Sequence, residues 1–122
     1  MKTNSDKTEI GQRGEDAAVR FLYSQGFDIL HRNWRSSRYE IDIIARSENV
    51  IHIVEVKCRK SNGLTTPYDA MTAKKFDSLV SAAQRYIEQY NVDCEIQFDL
   101  IAATHYPDGN IEIDYVPDVR PF

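Results

Sequence analysis

Two short stretches carry the side chains best suited to chemistry, Glu40-Ile41-Asp42 and Glu55-Val56-Lys57. Each sits inside a run rich in Ile and Val. Only Ser47-Glu48-Asn49 separates the two runs, which predicts an antiparallel hairpin. A two-residue turn at Glu48-Asn49 sets Asp42 opposite Glu55 and Glu40 opposite Lys57. Directly opposed side chains have Cβ atoms ~5 Å apart. Two carboxylates that close repel each other, so one takes up a proton or a cation sits between them. A site of oxygen ligands alone suits Mg²⁺ or Mn²⁺ rather than zinc. Lys57 follows Glu55 by two positions and so shares its face of the strand, where its ammonium can orient a water or neutralise charge on a phosphate. Two acids, a hard metal and a lysine form a set used for phosphodiester hydrolysis. The inference depends on register, because a one-residue slip would send the two acids to opposite faces. A plain Glu40–Lys57 salt bridge is the alternative use of the same charges. Against it stands the apolar character of these strands, where an unpaired charge is costly to bury.

The elements that must hold these residues follow from periodicity. Residues 8 to 25 read as a helix with Ile10, Gly14, Ala17, Ala18, Phe21 and Leu22 on one stripe, and Gly26 stands where a helix C-terminal glycine belongs. Strands are expected over 27–35, 38–46 and 50–58, followed by a loop at Ser61-Asn62-Gly63. A second helix is expected within 67–90, capped by Thr72 with Thr66 as the alternative. Its buried stripe would be Phe76, Leu79, Val80, Ala83, Tyr86, Ile87 and Tyr90. Two more strands, over 95–103 and 110–116, are joined through Pro107-Asp108-Gly109. The last alternates Ile111, Ile113 and Tyr115 inward with Glu112 and Asp114 outward. The order αβββαββ predicts an α/β fold, one mixed sheet with helices packed on it.

With 122 residues and 14.1 kDa, the chain is expected to form one domain over 1–122, with residues 1–7 frayed. A composition of 42% hydrophobic and 28% charged residues excludes a disordered or low-complexity chain. No apolar run is long enough to span a bilayer and no leader is expected, which points to the cytoplasm and no membrane partner. Cys58 and Cys94 are expected as free thiols, and His31, His52 and His105 fall in separate segments that offer zinc no foothold. The net charge of −4 argues against a strongly basic nucleic-acid binder. Its distribution is uneven, however. Residues 31–60 carry Arg32, Arg35, Arg38, Arg46, Lys57, Arg59 and Lys60 against four acids, whereas 93–118 hold seven acids and no Lys or Arg. An anionic ligand on one face is compatible with that polarity. Arg32, Arg35, Arg38, Arg59, Lys60, Lys74 and Lys75 are candidates for a phosphate-binding rim, with solvated surface charge as the competing reading. Trp34 and Tyr68 could stack on bases or pack, and Tyr86 and Tyr90 are expected in the core.

Asp42, twelve residues, then Glu55-x-Lys57 resembles the PD-(D/E)xK nuclease signature without its Pro. The flanking residues are more specific. Gly11-x-x-Gly14-Glu15-x-x-Ala18, Gly26, Arg32-Asn33-x-Arg35, Glu40 to Ala45, Val54 to Lys57 with Arg59, and Phe98-Asp99 resemble, in order and spacing, the YraN family of small bacterial endonuclease-like proteins. That family is distantly similar to archaeal Holliday-junction resolvases. Two positions depart from the pattern: Tyr39 where a Gly is usual, and Gln97 where an Arg is frequent. The resemblance implies a restriction-endonuclease-like αβββαβ core. It also implies metal ligation (Mg²⁺ or Mn²⁺) by Asp42, Glu55 and the Val56 carbonyl, with Lys57 positioning or activating the water. Glu15 matches a first-helix glutamate that is an extra ligand or holds a metal-bound water; its spacing alone reads as a solvated helix acid. The activity implied is DNA phosphodiester hydrolysis, on branched or otherwise structured DNA, by a homodimer. A non-catalytic nucleic-acid-binding or protein-interaction module on the same fold is the alternative.

Overall fold

The computed structural model describes residues 9–62 and 71–120. Seven elements follow one another as the periodicities predict: α1 (Glu9–Ser24), β1 (Asp28–Ser36), β2 (Tyr39–Ser47), β3 (Val50–Lys60), α2 (Ala73–Tyr90), β4 (Glu95–His105) and β5 (Ile111–Val116). The strands form one sheet in sequence order, β1-β2-β3-β4-β5. Only β3 and β4 run parallel; the other neighbours are antiparallel. A parallel pair cannot be joined by a tight turn, and α2 is the crossover that joins this one.

The turn between β2 and β3 is the expected two-residue one, with Ser47 paired to Val50 and Glu48 in the left-handed region at φ 55°. β3 lies mid-sheet and buries five consecutive residues, Ile51 to Glu55. Both of its faces are covered, which is why it reads as an apolar run rather than an alternation. On the α2 side, Trp34, Ile41, Ile44, Ile51, Ile53 and Leu100 pack with Leu79, Ala83 and Tyr86. On the α1 side, Ile43, Ala45, Val54 and Ile101 pack with Ala18 and Leu22.

α1 owes its close seat on the sheet to Gly14. A Cβ there would stand 2.3 Å from Cys58 Sγ, 3.2 Å from His105 Nε2 and 3.3 Å from the Ala103 methyl. Thr72 caps α2, its hydroxyl accepting from the Lys75 N–H at 3.1 Å, and Asn91 closes the helix in the left-handed region. Of the departures from the family pattern, Gln97 donates to the buried Asp99 carboxylate at 3.0 Å. The same carboxylate also receives His52 Nδ1, the Tyr115 hydroxyl and the Asp118 N–H at 2.7 to 2.9 Å. Tyr39 packs against the α2-side core under the guanidinium groups of Arg38 and Arg85.

Two core expectations need correction. Ile10 is 49% exposed, because the first turn of α1 borders a cleft rather than the sheet. Tyr90 is 45% exposed, because it closes the last turn of α2, where its ring meets those of His31 and Tyr86. Trp34 and Tyr86 are core. The frayed residues 1–7, the alternative cap Thr66, Gly63 and Tyr68 lie outside the described residues. Among the described residues no helix is long and apolar enough to cross a membrane.

Candidate active site

The β2–β3 ladder runs from Ser47–Val50 to Ile43–Val54 in the register that the short turn dictates, and it stops one step before Asp42 and Glu55. Past that point a side chain replaces the backbone partner: Asp42 Oδ2 accepts the Val56 N–H at 2.9 Å. The mid-sheet thus opens beside its two acids. Asp42, Glu55, Val56 and Lys57 line one cleft of about 530 Å³ together with Glu15, Glu40 and Lys75.

Glu55 is a strongly perturbed acid. Burial, and then the Asp42 carboxylate beside it, push its pKa from 4.5 up to about 7, although Lys75 pulls the other way. Lys75 Nζ lies 3.1 Å from Glu55 Oε2. Its own burial works against the ammonium, but Glu55, Asp42 and Glu40 outweigh it and raise the lysine pKa.

Glu15 enters from α1 and is only 2% exposed. Its Oε1 accepts from Arg32 Nη2 at 2.9 Å and from Asn33 Nδ2 at 3.0 Å. Successive strand residues point to opposite faces, so two neighbours can reach one carboxylate only if the strand breaks its alternation. Asn33 does this with φ 53°, a conformation that Asn tolerates better than most side chains. Glu15 is therefore a buried, clamped acid and not a solvated one.

The structure brings Asp42, Glu55, Val56, Lys57, Glu15 and Lys75 to one cleft. Of the other rim candidates, three are tied to carboxylates, two of them to acids of the cleft itself. Arg32 holds Glu15 and Asp16, Arg35 faces Glu40 across the β1–β2 pair at 3.5 Å, and Arg59 binds the Thr104 hydroxyl and Asp114. Lys74 is exposed on the first turn of α2. Two contributors escaped the sequence reading in these roles: Asn33 as the clamp on Glu15, and Lys75 as the partner of Glu55. A signal for the second was available, because paired lysines at a helix N-terminus oppose the helix dipole.

Among the described residues, no three Asp, Glu, His or Cys side chains converge closely enough to hold a metal ion. Mg²⁺ demands less, since one or two carboxylates with waters and a substrate phosphate satisfy it. Asp42 and Glu55 meet that demand. Their repulsion, with Glu55 pushed to about 7, is what a divalent cation would relieve.

A mixed five-stranded sheet carrying two helices, opened mid-sheet beside buried acids, defines a restriction-endonuclease-like fold. The chain is similar to the solved structure of Hjc, a Holliday junction resolvase from Archaeoglobus fulgidus, with TM-score 0.51 and 21% identity over 86% of this chain and 73% of that one. The chain belongs to UPF0102, described as an uncharacterised protein family, whose model matches residues 14–103. A UPF0102 protein of Bacteroides thetaiotaomicron is 37% identical over 93% of each chain. One from Flavobacterium psychrophilum is 42% identical over 80% of this chain and 82% of the relative.

Proposed function

We propose that this protein is a divalent-metal-dependent endonuclease acting on DNA, with structured or branched DNA as its substrate class and the cytoplasm as its place of action. The observation that carries the reading is the convergence of Asp42 and Glu55, from neighbouring strands, with Lys57 and Lys75 in one cleft. Asp42 and Glu55 would hold Mg²⁺ or Mn²⁺, with the Val56 carbonyl as a further donor. The ion would polarise a phosphate and lower the pKa of a bound water. Lys57, which also lines the cleft, would orient that water or neutralise charge on the phosphate. Glu15, clamped by Arg32 and Asn33, offers an acceptor that can hold a water in place. Substrate would be recognised through its phosphates and shape, since the two helices pack against the sheet and neither stands out as a groove-reading element. Cutting two strands of a junction calls for two copies of the site and hence a symmetric dimer.

The test is cleavage of labelled single-stranded, duplex, flapped and four-way-junction DNA at low salt with Mn²⁺ or Mg²⁺, beside purified Asp42→Ala. Cleavage that is lost in the variant is expected. Equal cleavage by the variant, or none on any substrate, would sink the reading. One observation favours a second reading, a protein-interaction module on the same fold: Arg32, Arg35 and Arg59, the candidates for phosphate contact, are engaged with acids of the chain itself. Calorimetry that shows no Mg²⁺ or Mn²⁺ binding at millimolar levels is its signature.

A further inference from the structure

Lys75 is hard to explain by the needs of α2. Thr72 is the N-cap, which makes Lys74 and Lys75 the second and third helical residues. The third is the position where a capping box places Glu or Gln, and cations are unfavourable at the positive end of a helix. The first turn of α2 holds no acid that would offset them. A local choice that works against its own element is expected where function overrides it. Lys75 extends from α2 to β3 and closes on Glu55 at 3.1 Å, inside the cleft that Asp42 also lines.

We infer that Lys75 is the resident counter-cation of the carboxylate pair, a positioning residue that occupies the cation's place until a divalent metal displaces it. The inference rests on the metal site proposed above and adds its regulation. Asp42 and Glu55 come together with a cation already on Glu55, which offsets part of the charge that would otherwise draw in a metal ion. A divalent ion taking the same carboxylate oxygens would meet an ammonium within hydrogen-bond distance of one of them. Two cations cannot share that oxygen without strong repulsion, so metal entry and the release of Lys75 are one event. The released ammonium, on a helix N-terminus facing the cleft, is then available to a phosphate. Metal loading would thereby prepare the phosphate contact, and the empty site would keep its lysine occupied.

The experiment titrates Mn²⁺ into the full chain, read by water-proton relaxation, for the wild type, Lys75→Met, Lys75→Arg and Asp42→Asn. Lys75→Met is expected to bind Mn²⁺ about tenfold more tightly, since a competing unit charge has been removed, while Lys75→Arg stays close to the wild type. Melting curves in the metal-free state show that each variant is folded. A ¹⁵N spectrum of the lysine ammonium groups adds an independent readout: the Lys75 signal should be protected without metal and lost to exchange when Mg²⁺ is added. Equal affinity in the wild type and Lys75→Met, with binding abolished by Asp42→Asn, would overturn the inference and leave the metal site standing. Weaker binding by Lys75→Met would make Lys75 a support of the site and also overturn it. If no variant binds Mn²⁺, both the metal reading and the inference fall.

Discussion

Asp42 plays two parts at once. Its carboxylate ends the β2–β3 ladder by accepting the Val56 N–H, and it raises the pKa of Glu55. Asp42→Asn keeps an oxygen acceptor for that N–H and removes the repulsion. It should raise the thermal stability of the metal-free protein at pH 8, by about 1 kcal/mol, while abolishing Mn²⁺ binding; a lower melting temperature would contradict this. Glu55 has its own pH signature. A carboxylate whose folded pKa of about 7 exceeds its unfolded value of 4.5 binds protons more tightly when folded. Its contribution to stability is therefore full below about 4.5 and is lost as pH rises through 7, a loss on the order of 3 kcal/mol by pH 8. Metal competes with the same proton, so Mn²⁺ affinity should climb between pH 6 and 8, roughly tenfold per unit on the acid side of the Glu55 pKa. A flat affinity profile over that range would rule out Glu55 as the titrating ligand.

α1 reaches the site because a glycine lets it. Gly14 faces Cys58, Ala103 and His105, and its neighbour Glu15 is thereby lowered to where Arg32 and Asn33 can grip it. Gly14→Ala adds a Cβ at 2.3 Å from Cys58 Sγ, a distance that forces the helix or the thiol to move. The expected cost is about 1–3 kcal/mol from overpacking, in spite of the gain in helix propensity. Cys58→Ala in the same chain removes the nearest obstacle and should recover part of that loss, which a double-mutant cycle by urea denaturation measures directly. Additive effects would mean that the contact does not limit how closely α1 packs.

At the other end of α1, away from the cleft, Phe21 and Phe27 lie over the group formed by His52, Asp99 and Tyr115. Asp99 is fully buried, and its donors hold its pKa below the ordinary carboxylate value although burial alone would raise it. Its contribution to stability is present above about 3.8 and is lost as pH falls below that value. Glu55 and Asp99 thus slope in opposite directions, and the metal-free protein should be most stable at about pH 4. Saturating Mg²⁺ should move that optimum upward by relieving Glu55. Thermal melts from pH 3 to 9, with and without Mg²⁺, check both statements. Asp99→Ala strands several buried donors and should cost at least about 3 kcal/mol. The C-terminal segment should loosen with it, because the Asp118 N–H binds that carboxylate and the Val119 N–H binds the Phe98 carbonyl alongside.

Much of this was legible in one dimension. The order of elements, the Thr72 cap and the hairpin register follow from local rules: period, turn length and capping chemistry act over a few residues and leave their marks in the chain. Register in turn placed Asp42 beside Glu55, because a short turn leaves no freedom to slip. What local rules cannot express is which charge meets which. Arg32 and Arg59 look like parts of a phosphate rim in sequence, yet each is engaged by an acid from another part of the fold. Glu15 looks solvated until α1 settles through Gly14, and Lys75 looks like a surface charge until the α2 crossover carries it to Glu55. Those pairings join residues 17 to 55 positions apart. They are set by how the helices pack on the sheet, a property of three-dimensional packing rather than of any local segment.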